Sequence, residues 1–174
     1  MGIDTSKGIL LTGPVGCGKT SLMKLLLHLA PHKTNYEIIP TRNIVFKFNT
    51  SGFEVLEKYN ETKNYCFDDV GVEPSGSHYA KECNVMGEIL LSRYDLFISH
   101  HKQCHAEPVE ALLKCQGLSL VQSLSLSLSH TKTHITTNLN TDEIEKRYGS
   151  RVRSRLREMM NVIAYDSNSI DKRQ

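Results

Sequence analysis

Gly13-Pro14-Val15-Gly16-Cys17-Gly18-Lys19-Thr20 reads G-x-x-x-x-G-K-T, and this octet decides the fold. Before it stands the apolar run Lys7 to Thr12, which predicts a strand. After it, Leu22, Leu25, Leu26 and Leu29 share one face of a helix predicted over Lys19 to Ala30 and stopped by Pro31. Strand, glycine-rich loop and helix in that order are what a phosphate loop requires. Gly13, Gly16 and Gly18 permit backbone angles that turn successive N–H groups toward one point, and the helix N-terminus adds partial positive charge there. The candidate nucleotide-binding residues are therefore Gly13, Pro14, Val15, Gly16, Cys17, Gly18, Lys19, Thr20 and Ser21. Lys19 is expected to reach the β- and γ-phosphates of ATP, and the Thr20 hydroxyl to ligate Mg²⁺.

Working outward, strands and helices alternate. Tyr36 to Ile39 is a second strand closed by Pro40. Thr41 to Phe48 admits a strand or a short helix; Thr41 as N-cap and the alternation of elements favour the helix. Ser51 to Tyr59 is a small amphipathic helix, Tyr65 to Asp68 a third strand, and Tyr79 to Tyr94 a helix with Val85, Met86, Ile89 and Leu90 inward. Thr133 to Thr137 is a β-branched fourth strand. Helices over Thr141 to Arg147 and Gly149 to Met160 precede a last strand, Asn161 to Tyr165. The pattern predicts one α/β domain over 1–174, a three-layer P-loop fold whose mostly parallel central sheet carries helices on both faces. Between Asp95 and Lys132 the connection is far longer than usual. Its centre, Leu118 to Ser129, is an uncharged Leu/Ser tract, and Ser99-His100 before it is echoed by Ser129-His130 after it. We read residues at about 101–130 as an insertion.

The chain has 174 residues, and 39% hydrophobic with 23% charged residues suffices for an ordinary core. Lys+Arg 21 against Asp+Glu 19 leaves a net charge of +2, too small for bulk attraction to nucleic acid or membrane, so phosphate recognition has to be local. No run is long enough to span a membrane, and no signal peptide precedes the first strand. Five cysteines, odd in number and without a C-x-x-C pair, suit reduced thiols and a cytoplasmic setting. His100, His101, Cys104, His105 and Cys115 match no standard zinc spacing.

Asn64-Tyr65-Cys66-Phe67-Asp68-Asp69 is an apolar strand ending in two acids. Asp68 is expected to face Thr20 across the Mg²⁺ site. Asp69 projects differently and either polarises an attacking water or caps the turn Val70 to Gly76. From Gly149 to Met160, Val152, Leu156, Met159 and Met160 form the inward stripe. Arg151 and Arg155 share one flank of that helix, Arg153 and Arg157 the other.

The successive signals GPVGCGKT, CFDDVGVE, ILLSRY, THITTNL and RYGSRVRSRL resemble the DnaC/IstB-like AAA+ ATPases, which include helicase loaders and transposition helpers. The resemblance implies that Asp69 activates water and that Asn138 positions it, although Asn138 also fits a simple helix-start signal before Asn140 and Thr141. It implies that Arg155 is an arginine finger acting on a neighbouring subunit's ATP, hence a homo-oligomer. The implied setting is DNA replication or a mobile element, with a replicative helicase or transposase as partner, single-stranded DNA as a contact, and no membrane. Family members carry residues before the ATPase that grip the partner; here the phosphate loop begins at Gly13, and such a domain is expected to be lacking. Two other classes stay open: a small P-loop kinase, and a nucleotide-binding module or relic without efficient hydrolysis. A kinase needs a mobile Arg-bearing lid and an acceptor pocket; the paired acids, Thr136-Thr137-Asn138 and Arg155 favour water instead.

Overall fold

Leu10 and Leu11 are neighbours in β1 (Gly8–Thr12), yet both are buried. Successive strand residues point to opposite faces, so this strand is covered on both sides. The computed structural model describes residues 2–29, 35–79, 81–106, 131–166, 169 and 171. On one face, Leu11 packs with Met23 of α1 (Lys19–Leu29), Tyr36 and Cys66. On the other, Leu10, Phe67 and Ile135 belong to the larger core. That core is closed by α2 (Thr41–Ser51), α3 (Glu54–Tyr59), α4 (Val85–Ala106), α5 (Thr141–Tyr148) and α6 (Ser150–Met159).

Five parallel strands lie in the order β2 (Glu37–Pro40), β3 (Tyr65–Val70), β6 (Thr133–Thr137), β1 and β7 (Met160–Ala164). The register sets Ile135 opposite both Leu10 and Phe67, and Ile163 opposite Leu11. Because the strands are parallel, the phosphate loop, the end of β3 and the end of β6 all emerge at one edge of the sheet. The α/β, helix-on-both-faces architecture expected from the sequence is the one found. Gly8 allows β1 to approach β6: a methyl group there would stand 1.7 Å from the Thr133 carbonyl oxygen.

The helix favoured for the ambiguous stretch is found, and other local expectations change. The ambiguous stretch is a helix, α2, which buries Ile44, Val45 and Phe48 at helical spacing. Its N-cap is Pro40, not Thr41, whose hydroxyl donates instead to the Asp69 carbonyl at 3.0 Å. The helix expected from Tyr79 begins only at Val85, where Asn84 Oδ1 accepts from Gly87 N at 3.0 Å as a cap. The preceding residues make an antiparallel hairpin, β4 (Gly76–His78) with β5 (Lys81–Cys83), held to α2 by Ser77 N donating to Asn49 Oδ1 at 2.8 Å. At the tip, Tyr79 has φ 48° and is 93% exposed. The same helix α4 continues to Ala106, beyond the expected end at Tyr94 and into the first residues of the segment read as an insertion. The rest of that segment, 107–130, lies outside the described residues. Its flanks meet: Thr131 Oγ1 is 3.2 Å from His100 Nε2. Among the described residues no helix is long and apolar enough to cross a membrane.

His134 is buried in β6, with its Nδ1 accepting from Ile9 N at 3.2 Å and its ring 4.7 Å from that of Tyr36. Burial, assisted by the charge of Lys132, pushes its pKa down to about 4. A histidine depressed in the folded state contributes its stability fully above its unfolded pKa and loses it as pH falls toward the folded value. Between about pH 6.5 and 4 the unfolded chain binds the extra proton, and the fold loses up to about 3 kcal/mol from this group. Urea unfolding of the wild type and His134→Gln at pH 7 and pH 4.5 is expected to show the steeper acid loss in the wild type. Identical pH dependence would remove His134 from the account.

Candidate functional site

The phosphate loop leaves β1 with Gly13, Gly16 and Gly18 at φ 153°, 81° and 97°, values that side chains with a Cβ rarely adopt. This backbone turns the loop over the start of α1. Lys19 is 5% exposed, and its ammonium donates to Gly13 O and Pro14 O at 2.8 Å each and to Asn138 Oδ1 at 2.7 Å. Cys17 Sγ lies 3.7 Å from the same Nζ, and Cys17 is buried. Val15 is 57% exposed on the outside of the loop. Pro14 enters through its carbonyl, and Ser21 follows Thr20 in the first turn of α1.

Thr20 and Asp68 stand 48 positions apart and meet: Thr20 Oγ1 donates to Asp68 Oδ1 at 2.8 Å. Thr136 Oγ1 donates to that oxygen at 2.6 Å, and accepts from Asp69 N at 2.9 Å. One hydroxyl of β6 thus fixes both acids of β3. Asp69 has φ 58°, and the β3–β6 pairing shifts register between Phe67 and Val70. This bulge turns Asp69 off the strand's alternation and returns Val70 to the face that carries Tyr65 and Phe67. A β-bulge beside a site re-aims a side chain, which a regular strand would not do.

Asn138 follows β6 and reaches Lys19, whereas the helix-start role falls to Asn140. Asn140 Oδ1 accepts from Asp142 N and Glu143 N at 3.0 and 2.9 Å, and Glu143 Oε2 accepts from Asn140 N at 2.7 Å, a closed capping box. The structure therefore brings Lys19, Thr20, Asp68 and Asn138 together, with Asp69 beside them. Arg155 is not among them. Its guanidinium lies 4.7 Å from the ring centroid of Tyr94, with Nη1 3.8 Å from Asp95 Oδ1 on α4. Arg153 and Arg157 line the opposite flank of α6, beside Thr12, Leu139 and Val162, as the helical spacing implied.

Sequence reasoning missed three participants. Thr136 was read only as part of Thr136-Thr137-Asn138, not as the hydroxyl that reaches both acids of β3. Thr41 anchors the Asp69 carbonyl from α2. Glu73, 3% exposed, accepts from Gly71 N at 2.8 Å and from the Tyr148 hydroxyl, while Arg147 donates to its carbonyl oxygen. Burial first, then the adjoining Glu73 carboxylate, push the Tyr148 phenol up, so it remains a donor. This cluster ties the turn after Asp69 to the corner between α5 and α6. Its members are separated by 75 positions, which no local pattern connects.

The site residues fit a magnesium nucleotide. The glycine angles form an anion nest, and the Thr20–Asp68 pair puts a hydroxyl and a carboxylate oxygen, both hard oxygen donors, at one point.

A family model described as RNA helicase matches residues 9–101, just over half of the chain. The chain belongs to this P-loop family. Among solved structures, the crystal structure of the DnaC helicase loader resembles it at 17% sequence identity and a TM-score of 0.56. The likeness covers 94% of this chain and 82% of that one. At this identity the likeness is one of fold, and it matches the α/β P-loop architecture with a mostly parallel sheet expected from the sequence. No curated protein matches the chain.

Proposed function

We propose that the chain is a Mg²⁺-dependent ATPase, a single AAA+ domain that hydrolyses ATP as a homo-oligomer in the cytoplasm. The observation that carries this reading is the 2.8 Å contact between Thr20 Oγ1 and Asp68 Oδ1, with Lys19 and Asn138 joined alongside. Lys19 would bind the β- and γ-phosphates, and Thr20 and Asp68 would hold the metal. Bound Mg²⁺ supplies charge neutralisation across the phosphates. Asp69 accepts a proton from the attacking water, and Asn138 orients that water. Arg155, whose neighbours are Tyr94 and Asp95 rather than any residue of its own site, serves the ATP of an adjacent subunit.

The partner in this reading is a replicative helicase or transposase, in DNA replication or a mobile element. The hairpin tip supports a contact with single-stranded DNA: Tyr79 is 93% exposed and Lys81 is exposed beside it, an aromatic face with an adjacent cation. Base stacking does not require a 2′-hydroxyl, so the same tip suits RNA, which the matching family's description names. The segment 101–130 is an insertion in this domain; the closeness of His100 and Thr131 supports it.

The deciding experiment is ATP turnover over a range of protein concentrations, with and without single-stranded DNA, for the wild type and Asp69→Asn. Turnover per subunit is expected to rise with concentration. Asp69→Asn keeps the size of the side chain, and asparagine tolerates the left-handed backbone at φ 58°. The variant is expected to bind ATP normally and to turn it over about 10²-fold more slowly. Near-normal turnover would return Asp69 to the role of turn residue. Transfer of phosphate to a small acceptor in place of water would overturn the ATPase reading in favour of a kinase.

A further inference from the structure

Glu73 grips two elements that the proposed reaction uses at different ATP sites. One is the turn after β3. Val72 N donates to Asp69 O at 3.2 Å and closes it, and Gly71 N inside it donates to Glu73 Oε2 at 2.8 Å. The other is the corner between α5 and α6. There the Tyr148 hydroxyl donates to Glu73 Oε1, Arg147 Nη2 donates to Glu73 O, and Arg147 Nε stands 3.6 Å from Oε1. Asn84 Nδ2 donates to Arg147 O at 3.1 Å, which fastens the corner to the start of α4. Helix α6 begins at Ser150, just past this corner, and carries Arg155. Glu73 is 3% exposed, so its carboxylate depends on these donors and holds them in turn.

We propose that Glu73 is a positioning residue for two ATP sites: through Gly71 it sets the turn that begins at Asp69 in its own subunit, and through Tyr148 and Arg147 it sets α6, whose Arg155 serves the neighbour's. The inference rests on the ATPase reading above and deepens it. Catalytic groups misplaced by about 1 Å can cost about 10²-fold in rate. Binding of ATP uses Lys19 and the phosphate loop, which Glu73 does not hold. Loss of its contacts therefore lowers kcat and leaves KM nearly unchanged.

The test is ATP turnover in mixed assemblies of an Arg155→Ala subunit, which keeps its own site, and an Asp69→Asn subunit, which keeps the arginine. Glu73→Gln or Tyr148→Phe is added to one subunit at a time, so that own-site and arginine-donating roles are read separately. Glu73→Gln is expected to lower kcat about tenfold in either position, with KM within about twofold. Tyr148→Phe keeps the ring and leaves Gly71 on Oε2; it is expected to lower kcat only in the arginine-donating subunit. Unchanged kcat for Glu73→Gln in either position, or a raised KM with kcat unchanged, overturns the proposal. Equal losses from Tyr148→Phe in both positions overturn it too, and that variant decides alone if Glu73→Gln fails to fold. Absence of turnover in the unsubstituted mixture, despite demonstrated co-assembly, overturns the reading of Arg155 and this inference with it; turnover there with unaffected variants overturns this inference alone.

Discussion

Lys19→Ala is expected to weaken ATP binding by about 10³-fold while the domain remains folded. The ammonium is nearly sealed from solvent, and its three oxygen partners sit on the loop and at the end of β6. Re-aimed at phosphate oxygens, it makes two charge-assisted hydrogen bonds, each worth roughly 2 kcal/mol, and about 1.4 kcal/mol corresponds to each tenfold in affinity. The fold survives because the partners left behind are two loop carbonyls and an amide at the edge of the site, all within reach of water once the side chain is gone. Lys19→Met, which keeps the apolar stem, separates charge from packing and is expected to lose the same affinity. A titration giving unchanged ATP affinity in either variant, with circular dichroism showing a native fold, would sink the phosphate-loop assignment.

The largest effect on stability is expected at Arg93. Only 1% exposed on α4, its guanidinium donates to Thr133 Oγ1 and to the carbonyls of Tyr59, Glu61, Lys63 and Lys132 at 2.7 to 3.3 Å, and it stacks on Tyr65 at 5.3 Å. One side chain thereby satisfies the loop between α3 and β3 and the entry to β6. Burial lowers its pKa to about 10, so the group stays protonated at neutral pH. Arg93→Met fills much of the volume but removes the donors to Thr133 Oγ1 and to the Tyr59 and Lys63 carbonyls, while Glu61 O and Lys132 O keep the backbone N–H groups of Lys63 and Tyr65; the expected cost is about 2–4 kcal/mol. Arg93→Lys restores charge without the planar fork and is expected to recover less than half of that loss. Urea denaturation is the measurement; a change within about 1 kcal/mol for Arg93→Met would show that the loop finds water instead.

Neither the Arg93 network nor the convergence of Thr136 on both acids was legible in the sequence, and the reason is the same. Local patterns report on neighbours along the chain, whereas Arg93 joins segments 30 to 40 positions away and Thr136 joins β6 to β3 across 67 and 68. The hairpin ending at Tyr79 was missed for a related reason. Three-residue strands carry too little alternation to register, and their pairing depends on Phe48 and Asn49 of α2, which receive Gly76 and Ser77.

By itself the sequence determined the fold class and the phosphate loop, because glycine spacing, apolar runs and helical periodicity are local consequences of backbone sterics and burial. It determined Asp68 as the acid to meet Thr20, since a strand ending in a carboxylate has few places to go in a parallel sheet. Only the tertiary structure placed the side chains whose positions the sequence left open. It gave the helix cap to Asn140 and sent Asn138 to Lys19, turned Asp69 out through a bulge that β6 imposes, and set Arg155 on Tyr94. Each of these depends on distances between strands and helices far apart in the chain, and those distances exist only after the two cores have closed on the sheet.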